Sequence, residues 1–329
     1  TKMVLEELVK LEHYETLSEE RKRVVWEAAL LHDVEKRSTT KEENGRIISP
    51  GHAKKGMQTA RKLLYKEFAA DNTERECISK LVRYHGLPLW ALEKPNPAKA
   101  VIQASLECDT KLLAMLAEAD IKGRVCEDAS LMLENIAFFK ELCIENDCWG
   151  KAKEFGSPWS VFNYFNKEDA TPEYIPFDNF KFEVVLLSAL PGTGKDTHVR
   201  KTYKDWSVIS LDDIRRQNNI DPTDKKGNGR VVQIAKEQAK VYMRRGESFV
   251  WNATNITRDL RGQLVSLFMK YGGKVIIDYL EVPYKQMIKQ NKNRDHAIPG
   301  VIINRMLNKW DVPQDFEAHE IRKFISGEV

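Results

Sequence analysis

The chain has 329 residues, 42% hydrophobic and 31% charged, enough for two domains of ordinary size with a core each. Its 52 basic and 49 acidic residues give a net charge of +3, which excludes a strongly polybasic or polyacidic protein and is compatible with a local basic groove. No apolar run is long enough to span a bilayer and no signal peptide is visible; five cysteines (Cys77, Cys108, Cys126, Cys143, Cys148) form no CxxC pair and read as reduced, mostly buried thiols of a cytoplasmic protein.

Residues 1–145 are helical in pattern. Val4, Leu5, Leu8 and Leu11 recur at helical spacing, and a second helix is expected from Ser18, as N-cap, to Asp33. That helix ends in AALLHDVEK, where His32 and Asp33 together form a ligand pair for a divalent transition metal. SPGH then puts His52 at a helix start, and LVRYHG puts His85 at a helix end with Gly86 at C′. If residues 99–121 are one helix, Ile102, Leu106, Asp109, Leu113, Leu116 and Asp120 share one stripe. Carboxylates on an apolar stripe need compensation, which a metal supplies. His32, Asp33, His52, His85 and Asp120 are therefore the expected ligands of a one- or two-metal site, with Asp109 as a residue that could orient one of them.

AALLHDVEK, SPGHAKKG, LVRYHGLP and LAEADIKGR resemble the HD superfamily of metal-dependent phosphohydrolases, in the branch resembling the HD domains of tRNA nucleotidyltransferases. The resemblance implies that His32 and Asp33 are the HD pair, Asp120 the terminal Asp, and His52 and His85 the extra histidines of two-metal members. It also implies that Lys36 lies near the substrate phosphate, and it calls for a histidine on the first helix. TKMVLEELVKL reads as the continuation of that helix, so the ligand is expected before Thr1, in a longer protein, or at His13.

Residues 146–181 change texture. GSPWSVFNYFNKEDATPEYIPFDNF has no helical period and reads as an ordered connector, because Trp159, Phe162, Tyr164, Phe165, Tyr174 and Phe177 call for burial.

Residues 183–197, EVVLLSALPGTGKDT, pass from an apolar strand through a Gly-rich turn into a helix. That context is the one a P-loop needs: Gly192 and Gly194 let backbone N–H groups converge on phosphate oxygens, and Lys195 reaches the β and γ phosphates. Pro191, Gly192, Thr193, Gly194, Lys195, Asp196 and Thr197 are the expected ATP-binding residues. Ala189 stands where the first glycine of the strict motif is usual, and Asp196 where a hydroxyl is. Either Asp196 ligates Mg²⁺, or it favours the helix start while Thr197 holds the metal.

Strands are expected at 183–189, 207–211, 248–252 and 274–280, separated by helices, in a mostly parallel sheet with ligands at the strand C-termini. VISLDDIRRQ ends one strand at Leu211 and presents Asp212, Asp213, Arg215 and Arg216. A carboxylate there can take a proton from an attacking hydroxyl, and an arginine one turn on can clamp a phosphate. FVWNATNITRDLR offers Asn252, Thr254, Asn255, Arg258 and Arg261, with Asn252 where many P-loop proteins carry Asp and Arg258 as a candidate for substrate binding. QNKNRDHAIPGVIINRMLNKWDVP reads as a mobile lid whose Arg294 neutralises the transferring phosphoryl group.

GTGKDT, DDIR, NATN and the lid ending in VP, over roughly residues 182–313, resemble the 5′-hydroxyl polynucleotide kinase branch of P-loop phosphotransferases. By that resemblance Asp212 is the general base and Arg215 holds the neighbouring nucleic-acid phosphate. The whole chain is similar to bacterial bifunctional end-healing proteins. The expected fold is α + α/β: an N-terminally truncated all-helical HD domain (1–145), an aromatic connector (146–181) and a P-loop kinase domain (182–329). The expected cofactors are ATP, Mg²⁺ and, in the helical domain, Mn²⁺, Ni²⁺, Co²⁺ or Fe²⁺. RNA or DNA with 5′-OH ends and a nucleic-acid ligase are the expected partners. A small-molecule kinase fused to an HD nucleotidase and a nucleotide-gated adaptor are the alternatives.

Overall fold

A computed structural model describes residues 1–125, 127–221, 224–294 and 296–326; Cys126 lies outside them. The chain divides into two compact units, Thr1–Glu154 and Phe155–Val329, so the expected connector is split between them.

The first unit is helical: α1 (Lys2–Leu8), α2 (Glu19–Leu31), α3 (Lys36–Thr39), α4 (His52–Leu63), α5 (Asn72–Tyr84), α6 (Leu87–Trp90), α7 (Pro97–Glu107), α8 (Thr110–Lys122) and α9 (Ala129–Glu145). A hairpin of β1 (Lys41–Glu43) and β2 (Arg46–Ile48) turns on Asn44 and Gly45, both at positive φ. Side-chain caps start several of these helices. Ser18 accepts from Arg21 N on α2, Asp71 from Glu74 N on α5, and Asn96 from Lys99 N on α7. Ala28, Ala29 and Ala60, all fully buried, let neighbouring helices approach. At Gly56 a Cβ would lie 3.2 Å from Val82, so α4 and α5 pack closely. His52 lies one turn before Gly56, and His85 one turn after Val82.

Two expectations fail here. The single helix over 99–121 breaks at Cys108, and Asp109 instead caps α8, accepting from Lys111 N and Leu112 N while pairing with Arg21 at 2.5 Å. Asp109 therefore does not face the other acidic and histidine residues along a stripe. Gly86 has φ near the right-handed helical region, not the left-handed C′ conformation, and the chain turns directly into α6.

The second unit opens with α10 (Pro158–Asn166), a helix inside the stretch expected to lack one; Ser157 caps it and Pro158 occupies its first turn. Phe162 and Tyr164 are buried, whereas Tyr174 and Phe177 are exposed, against the expectation that the aromatics of this stretch are covered. There follow β3 (Phe182–Ala189), α11 (Lys195–Thr202), β4 (Ser207–Ser210), α12 (Leu211–Gln217), α13 (Lys225–Arg245), β5 (Phe249–Asn252), α14 (Arg258–Met269), β6 (Gly273–Glu281), α15 (Tyr284–Lys292), α16 (Gly300–Leu307) and β7 (Glu320–Ile325). The strand order is β4-β5-β3-β6-β7, with every neighbouring pair parallel. The central strand β3 is covered on both faces, which explains its unbroken apolar run. Val184 and Leu186 enter one core with Trp251, Phe249 and Phe268, and Val185, Leu187 and Ala189 enter the other with Val199, Val250 and Ile276. Parallel registry brings the C-terminal ends of β3, β4 and β5 to one edge, where Lys195 at the start of α11, Asp212 in the first turn of α12 and Asn252 at the end of β5 lie.

Candidate phosphate-binding loop and candidate metal centre

In the second unit, Gly192 and Gly194 take φ of 83° and 91°, the region that glycine adopts without strain. Gly194 needs glycine for its backbone alone, because nothing lies within 4 Å of a Cβ there. Gly192 needs it for space as well: a Cβ would meet Met287 O at 2.6 Å and the Asn291 backbone N and Cβ at 3.1 Å, so the turn is pressed against α15. Thr193 Oγ1 closes the turn on Leu190 O at 2.8 Å. Gly194 then starts α11, and its first turn supplies N–H groups and the positive dipole end.

Lys195 is only 8% exposed. Burial lowers its pKa, and the other charges acting on it are those of Asp196, Asp212 and Arg294. Asp196 Oδ1 accepts from Asn252 Nδ2 at 2.8 Å, so the asparagine at the end of β5 holds the carboxylate of the loop. Asp212 pairs with Arg215, whose Nε also donates to Asn228 Oδ1 at 2.9 Å. Arg294 lies between α15 and α16. Asn291 holds that segment by donating to Ile298 O at 2.9 Å and accepting from Ile298 N at 3.1 Å.

Two candidates have other surroundings. The Arg258 guanidinium lies over the Phe316 ring, 4.6 Å from its centroid. Arg261 is fully buried on Glu317 and on the carbonyls of Asn255 and Asp311, which makes it an internal brace of the loop after β5. The sequence reading missed a buried cluster behind the P-loop helix: Asp278 Oδ2, in the middle of β6, lies 2.8 Å from His198 Nε2 and accepts from Tyr203 OH at 2.6 Å. These bonds tie α11 to the sheet. The signal was a lone carboxylate in the apolar run VIIDYL.

In the first unit, His32, Asp33, His52, His85 and Asp120 converge. Two triads, Asp33–His52–His85 and His32–Asp33–Asp120, each bring one ligand atom per residue within 4.8 Å of the others, and Asp33 belongs to both. Asp33 Oδ1 is 3.6 Å from His52 Nε2 and 3.8 Å from His85 Nε2, while His32 Nε2 is 3.1 Å from Asp33 Oδ2 and 3.4 Å from Asp120 Oδ1. All three rings are fixed in the same way. His32, His52 and His85 each donate from Nδ1 to the carbonyl three residues earlier, Ala29, Ser49 and Val82, at 2.7, 2.7 and 2.8 Å. A carbonyl only accepts, so Nδ1 carries a proton in each ring and each Nε2 is turned inward.

The residues fit a metal. The Nε2 atoms of His52 and His85 face each other at 3.2 Å, and burial followed by the nearby His32 charge pushes His85 down to about 4. His32 Nε2 and Asp33 Oδ1 are buried without a hydrogen-bond partner. A nitrogen and carboxylate donor set of this kind suits a divalent transition metal. Burial alone would lower His32, but Asp120 and Asp33 push it up to about 9; Asp33 sits below the ordinary carboxylate range although burial opposes this, because His32 and Lys36 outweigh it. Lys36 Nζ is 2.7 Å from Asp33 Oδ2. Arg124, one turn beyond Asp120, grips that carboxylate with two nitrogens, a partner the sequence reading did not single out. His13 is exposed in the turn between α1 and α2 and is not among these ligands.

Among the described residues no helix is long and apolar enough to cross a membrane. Residues 184–313 match a family model described as an AAA domain, a span that runs from β3 through the lid segment. Over 164 residues the chain is 28% identical to Transcription factor bHLH140 of Arabidopsis thaliana, which covers 45% of this chain but only 16% of that protein. A solved structure from Chloroflexus aurantiacus j-10-fl aligns with a TM-score of 0.39 at 12% identity, over 45% of this chain and 87% of that one. A sugar kinase from Janibacter sp. HTCC2649 aligns with a TM-score of 0.36 at 15% identity, over 44% and 85%. The family match and the loop geometry together give the second unit a P-loop, a turn of the kind that ordinarily receives ATP with Mg²⁺.

Proposed function

We propose that the second unit transfers the γ-phosphoryl group of ATP to a 5′-OH polynucleotide end, and that the first unit is an HD-type phosphoesterase acting on 2′,3′-cyclic or 2′-phosphate ends. The observation that carries the kinase reading is the P-loop geometry: Gly192 and Gly194 at positive φ lead directly into the buried Lys195 at the start of a helix that follows a central parallel strand. Lys195 and the loop amides hold the β and γ phosphates. The 5′-hydroxyl oxygen attacks the γ phosphorus, its proton passes to Asp212, the bond to the β-phosphate oxygen breaks, and ADP leaves. Arg215 positions the acceptor's neighbouring phosphate and Arg294 offsets the charge on the transferring group. Asp196 or Thr197 would hold Mg²⁺, which neutralises phosphate charge.

In the first unit, Mn²⁺, Ni²⁺, Co²⁺ or Fe²⁺ held by the two triads would supply Lewis-acid activation of water. The chain's own part is to keep three Nε2 atoms aimed inward and to offer Lys36 and Arg124 as cations for the substrate phosphate. Both ends of a broken strand would then suit a ligase.

The test uses an RNA oligonucleotide with a 5′-OH and a 2′,3′-cyclic phosphate, incubated with ATP, Mg²⁺ and Mn²⁺, each end followed by mass. Gain of a 5′-phosphate and loss of the cyclic phosphate are expected. Asp212→Asn is expected to slow the first reaction by about 10²–10⁴ while ATP still binds. Phosphorylation that survives in this variant removes Asp212 from its role, and unchanged ends in the wild type sink the assignment. The bond from Asn252 to Asp196 favours one other reading, a nucleotide-gated adaptor, which any turnover excludes.

A further inference from the structure

At the edge of the sheet opposite the P-loop, the segments that precede β3, β5 and β6 enclose a cleft of ≈ 630 Å³. Lys181 enters it from just before β3, Arg244 and Arg245 from the last turn of α13, and Lys270 and Tyr271 from the end of α14. The four cationic side chains are exposed. Basic residues at helix C-termini are ordinarily complements of the dipole. Here the end carbonyls already have backbone partners: Met243 and Tyr242 accept from Gly246 and Glu247, and Phe268 and Met269 accept from Tyr271 and Gly272. Lys181 belongs to no helix. Its N–H donates to Gly272 O at 2.9 Å, and its side-chain stem passes 3.2 to 3.5 Å from where a Cβ of Gly272 would stand, so the lysine is laid along the cleft wall. Glu247 lies 3.8 Å from Arg245, and Glu237, further back on α13, is held by Lys240 at 2.7 Å. Four cations therefore line a concave surface with an aromatic ring beside them.

We infer that this cleft is a second polyanion site that binds the phosphodiester backbone of a single-stranded polynucleotide remote from the reacting end. A cleft of this volume takes a chain but not a bilayer plane, and Tyr271 offers a face on which a base can stack. The inference rests on the proposed polynucleotide substrate and adds a length rule to it. The eight residues of β3 separate the cleft from the P-loop by about 26 Å at ~3.3 Å per residue. A polynucleotide has to pass around the helices that cover β3, so about eight nucleotides, at ~3.4 Å each, is the minimum that bridges the two sites. Short acceptors reach the P-loop alone, and longer ones hold both sites.

The experiment compares the full chain with the variant K181Q/R244Q/K270Q. Fluorescence anisotropy reads binding of a 16-nucleotide strand that already carries a 5′-phosphate, across a KCl series, and kinase assays use 5′-OH acceptors of 3 and 16 nucleotides. The neutralised side chains are exposed, and an unchanged melting temperature confirms folding; the single change K270Q serves if the triple variant melts early. The expected result is a loss of about tenfold or more in affinity for the 16-mer and a salt slope shallower by about 2, at ~0.7 per phosphate neutralised. The KM advantage of the 16-mer over the trimer disappears, and the trimer reacts as before. Phosphorylation of both acceptors with binding unchanged in the variant overturns the cleft and leaves the kinase reading standing. Cleft-dependent binding of the 16-mer without any phosphorylation supports the cleft and removes the kinase reading. Absence of binding by the wild-type chain overturns the cleft.

Discussion

Replacing Arg261 by alanine tests how the loop after β5 is held. The guanidinium is fully buried and donates to both oxygens of Glu317, at 2.8 and 3.0 Å, and to the carbonyls of Asn255 at 3.1 Å and Asp311 at 2.8 Å. Removing it leaves Glu317, itself 7% exposed, with only the Gln314 N–H at 3.0 Å. Breaking one side of a buried ion pair costs about 3–5 kcal/mol, because the remaining charge stays desolvated. Against a usual stability of about 5–15 kcal/mol, that is enough to lower the urea midpoint markedly. The pair itself is worth much less, so R261M/E317L is expected to recover most of the loss. Urea titration of wild type, both single variants and the double variant gives the coupling. A cost below about 1 kcal/mol for R261A, or a double variant as unstable as the sum of the singles, refutes the account. The P-loop reports as well: Asn255 Nδ2 donates to Leu187 O, and Ala189 N to Thr254 O, so R261A is also expected to weaken ATP binding.

His319 provides a pH test. Burial pushes it down to about 4, and Val275 N–H donates to its Nδ1, so the folded state keeps the ring neutral. The unfolded chain takes up the proton first, below about 6.5, so stability is full above that value and falls as the pH drops toward 4. At ~1.36 kcal/mol per pH unit the loss reaches about 3 kcal/mol, and His319→Phe is expected to flatten that stretch of the stability profile measured by urea titration. For the histidine cluster, His85→Ala and His52→Ala are each expected to lower the bound Mn²⁺ measured by elemental analysis, with Asp33→Ala, shared by both triads, removing the most. Equal metal content in wild type and Asp33→Ala would exclude a site there.

The P-loop was legible because its demands are local: positive φ at Gly192 and Gly194, a lysine, and a strand before them. The histidine cluster was legible for a different reason. Each of its residues marks a helix end, and helix ends meet where helices pack antiparallel, as at Gly56 and Val82. What the sequence hid depended on distant partners. Arg258 and Arg261 stand in one short segment with the same chemistry; only the pairing with Glu317, 56 positions later, buries one of them. The break at Cys108 was invisible because the apolar period continues through it, with Leu106 and Leu113 in phase while Asp109 turns from stripe to cap. β7 reads EIRKFI, too charged for the buried-run pattern, because an edge strand of this kind is only half covered.

The absence of a side chain at Gly192 has a mechanical consequence. Because its Cα faces the backbone of α15 with no room between them, the phosphate loop and that helix move as contacting bodies, not through a compliant side chain. Asn291, on the same helix, grips both backbone groups of Ile298, and Arg294 rides on the span between. A displacement of the turn as phosphate enters it is thus carried through α15 to the arginine as through a short rigid lever, and substitution at Gly192 would tilt that lever even with the nucleotide absent.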